Sequence, residues 1–127
     1  MSPKTYGPYT PLRSAGGLYF LSGQVGIDPV TKATPKDIAS QSSQALMNAQ
    51  TLLETEGLTL DDAVKLTVYL CDMQDFEAMN TVYESFFTVP RPARTTVAVK
   101  ELPRIGTKPL LVEIELTASR RNNDTSH

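Results

Sequence analysis

Two stretches of this chain alternate apolar and polar residues with a period of two, and nothing else in it limits the possible folds so tightly. In Val64-Lys65-Leu66-Thr67-Val68-Tyr69-Leu70, Val64, Leu66, Val68 and Leu70 share one face, while Lys65, Thr67 and Tyr69 share the other. In Leu110 to Ala118, Val112, Ile114, Leu116 and Ala118 point one way, and Leu111, Glu113, Glu115 and Thr117 the other. Each run predicts a strand with one face in a core. Such faces must be covered, and the covering elements are legible between them.

Thr34-Pro35 opens a predicted helix, with Thr34 as N-cap, Pro35 at the first helical position and Asp37 near the positive end of the dipole. Ile38, Ala45, Leu46, Ala49, Leu52 and Leu53 recur at helical spacing, and Gly57 reads as the left-handed residue that ends the helix. A second helix is capped by Asp72 or Asp75 and buries Phe76, Met79, Tyr83, Phe86 and Phe87, until Thr88-Val89-Pro90 stops it. Shorter strands are expected at Leu12–Ser14 and Leu18–Ser22, joined by a turn at Ala15-Gly16-Gly17, with Gly23 to Pro29 breaking the second. Another runs from Thr95 to Val99, entered through Arg91-Pro92-Ala93-Arg94, where Pro92 holds the approach extended.

Two strands, a helix, a strand, a helix and two strands fit an α/β (α+β) arrangement: a single mixed sheet with both helices on one face. The predicted domain spans 1–127, with an ordered core of about 6–119 and a polar tail at 120–127. The other face of the sheet, with Lys65, Thr67, Tyr69, Glu113 and Glu115, is either solvated or buried against further copies of the chain.

Composition removes several classes of function. A net charge of −2 with scattered Lys and Arg leaves no basic stripe for nucleic acid. One cysteine, Cys71, permits no internal disulfide and fits a reducing, cytoplasmic setting. One histidine, His127, leaves no His/Cys cluster for a metal. No segment reads as a signal peptide or is long enough to cross a bilayer.

Few side chains remain for chemistry. Arg94 offers a planar fork of donors matched to a carboxylate or phosphate, and reads either as an anion clamp or as a salt-bridge partner. Glu113 and Glu115 share a strand face, so one can hold a water while the other pairs with a cation; the alternative is a solvated, ion-paired face. Tyr9, within the turn Tyr6-Gly7-Pro8-Tyr9-Thr10-Pro11, is a pocket phenol or a structural anchor. Cys71 has no histidine partner and reads as a packing residue.

Gly7-Pro8-Tyr9, Ser22-Gly23-Gln24, Asn80-Thr81-Val82-Tyr83-Glu84-Ser85-Phe86-Phe87, Pro92-Ala93-Arg94 and Val112-Glu113-Ile114-Glu115 occur in one order from Gly7 to Ala118. Together they resemble the RidA/YjgF family of enamine/imine deaminases. The resemblance implies a chorismate-mutase-like fold, a homotrimer with active sites between subunits, and cofactor-independent hydrolysis of 2-enamine/2-imine acids such as 2-aminoacrylate to 2-keto acids and ammonia. By position, Arg94 would bind the substrate carboxylate and Glu113 would orient or activate water. Tyr9 would line the pocket, and Gly23 would shape its wall, with Thr96 beside the arginine at a position where many members carry cysteine. The Ile105-Gly106-Thr107-Lys108-Pro109 loop is longer than is common in the family, and the link from Phe87 to Arg94 is shorter. A non-enzymatic trimer that binds ligands or acts as a chaperone is the alternative on the same fold. Ribonuclease activity fits poorly with the acidic charge, and a chorismate mutase would want more converging cations.

Overall fold

The sequence folds into five strands and two helices in the order β1, β2, α1, β3, α2, β4, β5. The structure is a computed structural model that describes residues 5–120; stretches 1–4 and 121–127, where the expected loose N-terminus and most of the polar tail fall, lie outside the described residues. β1 (Leu12–Ala15) and β2 (Leu18–Val25) form the hairpin read from Gly16 and Gly17. The last strand, β5 (Val112–Ser119), inserts antiparallel between β2 and β3 (Ala63–Leu70). β4 (Ala93–Ala98) pairs parallel with β3, giving the sheet order β1-β2-β5-β3-β4.

The parallel pair needs a crossover, which α2 (Phe76–Phe86) supplies. α1 (Ile38–Glu54) and α2 pack side by side over one face of the sheet. Their stripes, including Ala45, Leu46, Leu53, Met79 and Tyr83, close a core with Leu66, Val68, Leu70, Val112, Ile114 and Leu116. The mixed sheet with both helices on one face is therefore as expected, and the alternation in β5 holds throughout.

Local expectations fail where a competing interaction wins. β2 does not stop at Gly23 but continues to Val25, with a register shift between Leu21 and Gln24 that absorbs the glycine. Thr34 is not the helix cap: it is buried, and its hydroxyl accepts from the Thr107 amide at 3.4 Å. Asp37 caps α1 instead, accepting from the Ser40 amide at 2.9 Å, so Pro35 lies before the helix. Val64 points outward, 47% exposed, because a shift in pairing between Ala63 and Lys65 puts Ala63 in the core. Asp72 caps a short 3-10 turn at Met73–Asp75, whereas Asp75 precedes α2 without a side-chain cap bond. Gly57 has φ 73° and donates to the Glu54 carbonyl, as its position at the helix end requires. Arg120, the first residue of the expected tail, is tied back through the Tyr19 hydroxyl (3.0 Å) and the Glu56 carbonyl (2.8 Å).

A row of amides along α1 fixes the ends of the strands beneath it. The buried Gln41 donates to the Pro35 and Pro109 carbonyls (2.8 and 2.9 Å) and accepts from the Leu111 amide (2.8 Å). Asn48 donates to the Val25 and Ile27 carbonyls, both at 3.0 Å, and accepts from Gln44. The entry to β5 and the exit from β2 are thus held by the same helix.

Candidate active site

Glu113 is the second residue of β5, and strand alternation turns it away from the helices, between the inward Val112 and Ile114. It pairs across β5 with Val25 on one side and Tyr69 on the other. Gly23 on β2 makes its position possible: a Cβ there would fall inside the Glu113 carboxyl group, so only glycine leaves that space open. Half-burial raises the Glu113 carboxyl above its usual range of about 4.5, and the neighbouring Glu115 charge adds to the rise. Among the described residues Glu115 pairs with no cation; it accepts from the Tyr69 hydroxyl at 2.9 Å. That bond, with burial and the two glutamates, raises the Tyr69 phenol, which stays a donor.

Arg94 lies on the other face. It sits opposite the inward Leu66 in the parallel ladder, and its guanidinium reaches α2. Its central carbon is 4.7 Å from the Tyr83 ring centroid and 5.6 Å from that of Phe76, with Nη1 4.0 Å from Met79 Sδ. Among the described residues Arg94 makes no ion pair; the one recorded there joins Arg104 to Glu101 on the surface. Phe76 is 36% exposed, so it is not the core residue its spacing implies. Burial raises the Tyr83 phenol, and the charges of Arg94 and Arg91 oppose that rise.

Thr96 shares the face of Arg94, opposite Val68, and its Oγ1 is buried without a partner among the described residues. The same is true of Asn80 Oδ1 and Tyr83 Oη on α2. Tyr9 is 46% exposed in the loop before β1, its hydroxyl 3.5 Å from the Tyr6 amide. The Ser22 hydroxyl donates to the Thr10 carbonyl at 2.7 Å and anchors that loop beside β2.

One chain therefore brings Glu113 and Gly23 together, and Arg94 and Thr96 together, but it sets the two pairs on opposite faces of the sheet. Residue spacing hides this, because face parity is fixed by register and β4 and β5 run in opposite directions beside β3. The arginine's partners on α2 were also missed. Phe76, Met79, Asn80 and Tyr83 form one helical stripe, and a basic residue entering the next strand beneath it was the available signal. Among the described residues no group of three or more His, Cys, Asp or Glu side chains is placed to hold a metal, and no helix is long and apolar enough to cross a membrane.

Comparison with known proteins places the chain in a family. A family model described as Endoribonuclease L-PSP, which represents the RidA/YjgF proteins, matches residues 1–120. The chain belongs to the RidA/YjgF family. A RutC family protein of Pyrococcus horikoshii is 45% identical over 118 residues, covering 92% of this chain and 90% of that protein. The 2-iminobutanoate/2-iminopropanoate deaminase of Escherichia coli is 39% identical over 123 residues, covering 94% and 93%. In structure, the RidA/YjgF chain is similar to the YjgF gene product of E. coli, with TM-score 0.85, 38% identity and 94% of each chain covered. It is also similar to E. coli TdcF with bound serine, with TM-score 0.85, 34% identity and the same coverage.

Proposed function

We propose that this protein hydrolyses 2-imino and 2-enamino acids to 2-keto acids and ammonia, at sites that each combine two copies of the chain. The observation that carries the reading is the state of Arg94: a guanidinium held against aromatic rings, with no acid paired to it among the described residues. A substrate carboxylate supplies that acid. Family membership and a relative named 2-iminobutanoate/2-iminopropanoate deaminase support the choice of reaction.

In this mechanism the carboxylate docks on Arg94, and the C=N carbon faces Glu113 of the neighbouring copy. Glu113 accepts a hydrogen bond from water and directs its oxygen at that carbon. Protonation of the imine nitrogen makes the carbon electrophilic, and collapse of the resulting carbinolamine expels ammonia. Most of the acceleration comes from orientation, since both reacting groups are already held in place. Tyr9 and Thr96 border the cleft, and Gly23 keeps the space the acid occupies. The exposed Leu18, Phe20 and Val97 lie on the same open face as Tyr69 and Glu113, an apolar component suited to burial against further copies, as in a homotrimer.

Arg94→Ala and Glu113→Ala variants, each inactive alone on 2-iminobutanoate, test both parts at once. Unfolded together in equal amounts and refolded, they regenerate about a quarter of the parent's sites if each site draws its arginine and its acid from different copies. Recovery of nothing from two well-folded variants overturns the shared site, and full activity of either variant overturns the chemistry. The family model's description raises ribonuclease activity, which the net charge of −2 disfavours. RNA cleavage that is lost in Glu113→Ala but indifferent to imino acids would replace the deaminase reading.

A further inference from the structure

An arginine that must capture a carboxylate faces a conflict. It needs neighbours to fix its long side chain, but an acid that fixes it also neutralises it and competes with the ligand. The contacts of Arg94 avoid the conflict. Among the described residues, the contacts of its guanidinium are with uncharged groups: the Tyr83 ring, the Phe76 ring and the Met79 sulfur, all from one stripe of α2. Ring faces attract a cation through their quadrupole, without taking N–H donors out of the fork. Tyr83 is itself held, its ring tilted 34° against that of Phe87 with centroids 4.5 Å apart, so its face is a fixed surface. Phe76 is different. It stands outside the core cluster and is more than a third exposed, an unusual place for an aromatic side chain that has no contact to make.

We propose that Phe76, Met79 and Tyr83 form an uncharged cradle that orients the Arg94 guanidinium while leaving its charge available for a carboxylate ligand. Phe76 and Tyr83 are then positioning residues, and their effect belongs to binding more than to the chemical step. This inference rests on the reading of Arg94 as the carboxylate-binding group.

Phe76→Leu tests it with little risk to the fold, because that side chain lies outside the buried core cluster. The expected result is a rise of about 3- to 10-fold in both the KM for 2-iminobutanoate and the Kd for 2-oxobutanoate measured by calorimetry, with kcat changed less than about twofold. Phe76→Trp, which offers a stronger ring face, recovers or improves on the parent's Kd. At the buried position, Tyr83→Phe recovers most of the affinity that Tyr83→Leu loses, because the face and not the hydroxyl makes the contact. The Arg94 Nε–H proton resonance moves downfield in Phe76→Leu and Tyr83→Leu as ring shielding is removed. An unchanged Kd in Phe76→Leu, or equal losses in Tyr83→Phe and Tyr83→Leu, overturns the cradle. Should the parent bind 2-oxobutanoate without hydrolysing imines, the deaminase reading fails while the Kd series still decides the cradle. Should it do neither, the Arg94 resonance decides, and no movement in either leucine variant overturns the proposal.

Discussion

A carboxyl group tucked against a glycine, with a second carboxylate two residues along the strand, is costly to ionise. For Glu113 the sign follows from the cause. Burial and Glu115 raise its folded-state value above 4.5, so the protonated form is favoured in the fold relative to the unfolded chain. Its stabilising contribution is complete below about 4.5 and is lost as pH rises through the folded value. Glu113→Gln therefore melts at a higher temperature than the parent at neutral pH, and the two curves converge in acid. The opposite holds for turnover. The parent loses activity as pH falls through a value above the ordinary carboxylate range, and the glutamine variant stays inactive at every pH. Melting curves and pH–rate profiles on the same pair of proteins check both. Glu113 was legible as a candidate because it stands in a run of alternating residues. Its reluctance to ionise was not, since that comes first from burial, which only the folded sheet supplies, and then from Glu115.

At the scale of elements, α1 does more than cover the sheet. Its amide row fastens the chain just before β5 and just after β2, the two strands that hold Glu113 and Gly23. Replacing Gln41 with Ala strands the Leu111 amide and the Pro35 and Pro109 carbonyls, at a cost of about 2–4 kcal/mol in urea unfolding. A variant that loses less than about 1 kcal/mol would show that water replaces the amide there. The helices themselves were readable from their apolar stripes, and the end of α1 from Gly57. Their beginnings were less readable, because Thr34, Pro35 and Asp37 form an overlapping set of start signals. Thr34 was drawn off to the 105–109 loop, leaving Asp37 as the cap. The alternation of β3 was right except at Val64, where the pairing shift moved one residue to the other face.

For the molecule as a whole, the sheet presents its open face with Leu18, Phe20, Val97, Tyr69 and the two glutamates together. If copies assemble through it, one added charge at a tolerant surface position separates them. Val97→Glu leaves far-ultraviolet circular dichroism unchanged, sediments as a single chain and has no deaminase activity, although Arg94 and Glu113 are untouched. An assembled Val97→Glu protein of full activity would move the contact surface elsewhere. Composition and periodicity established the layers of this fold, and ordered motifs marked the family. What they did not reveal is that the two candidate site residues, Arg94 and Glu113, point away from each other, a fact held in the register of three strands.

That opposition of faces also bears on the segment linking Ala98 to Val112, which includes Ile105 to Pro109. A hinge between two tools in one hand has to have the right length. Here the segment joins groups that never meet within their own chain, so its length answers to its local anchors, Gln41 at Pro109 and Leu111 and Thr34 at Thr107, and not to a distance between Arg94 and Glu113.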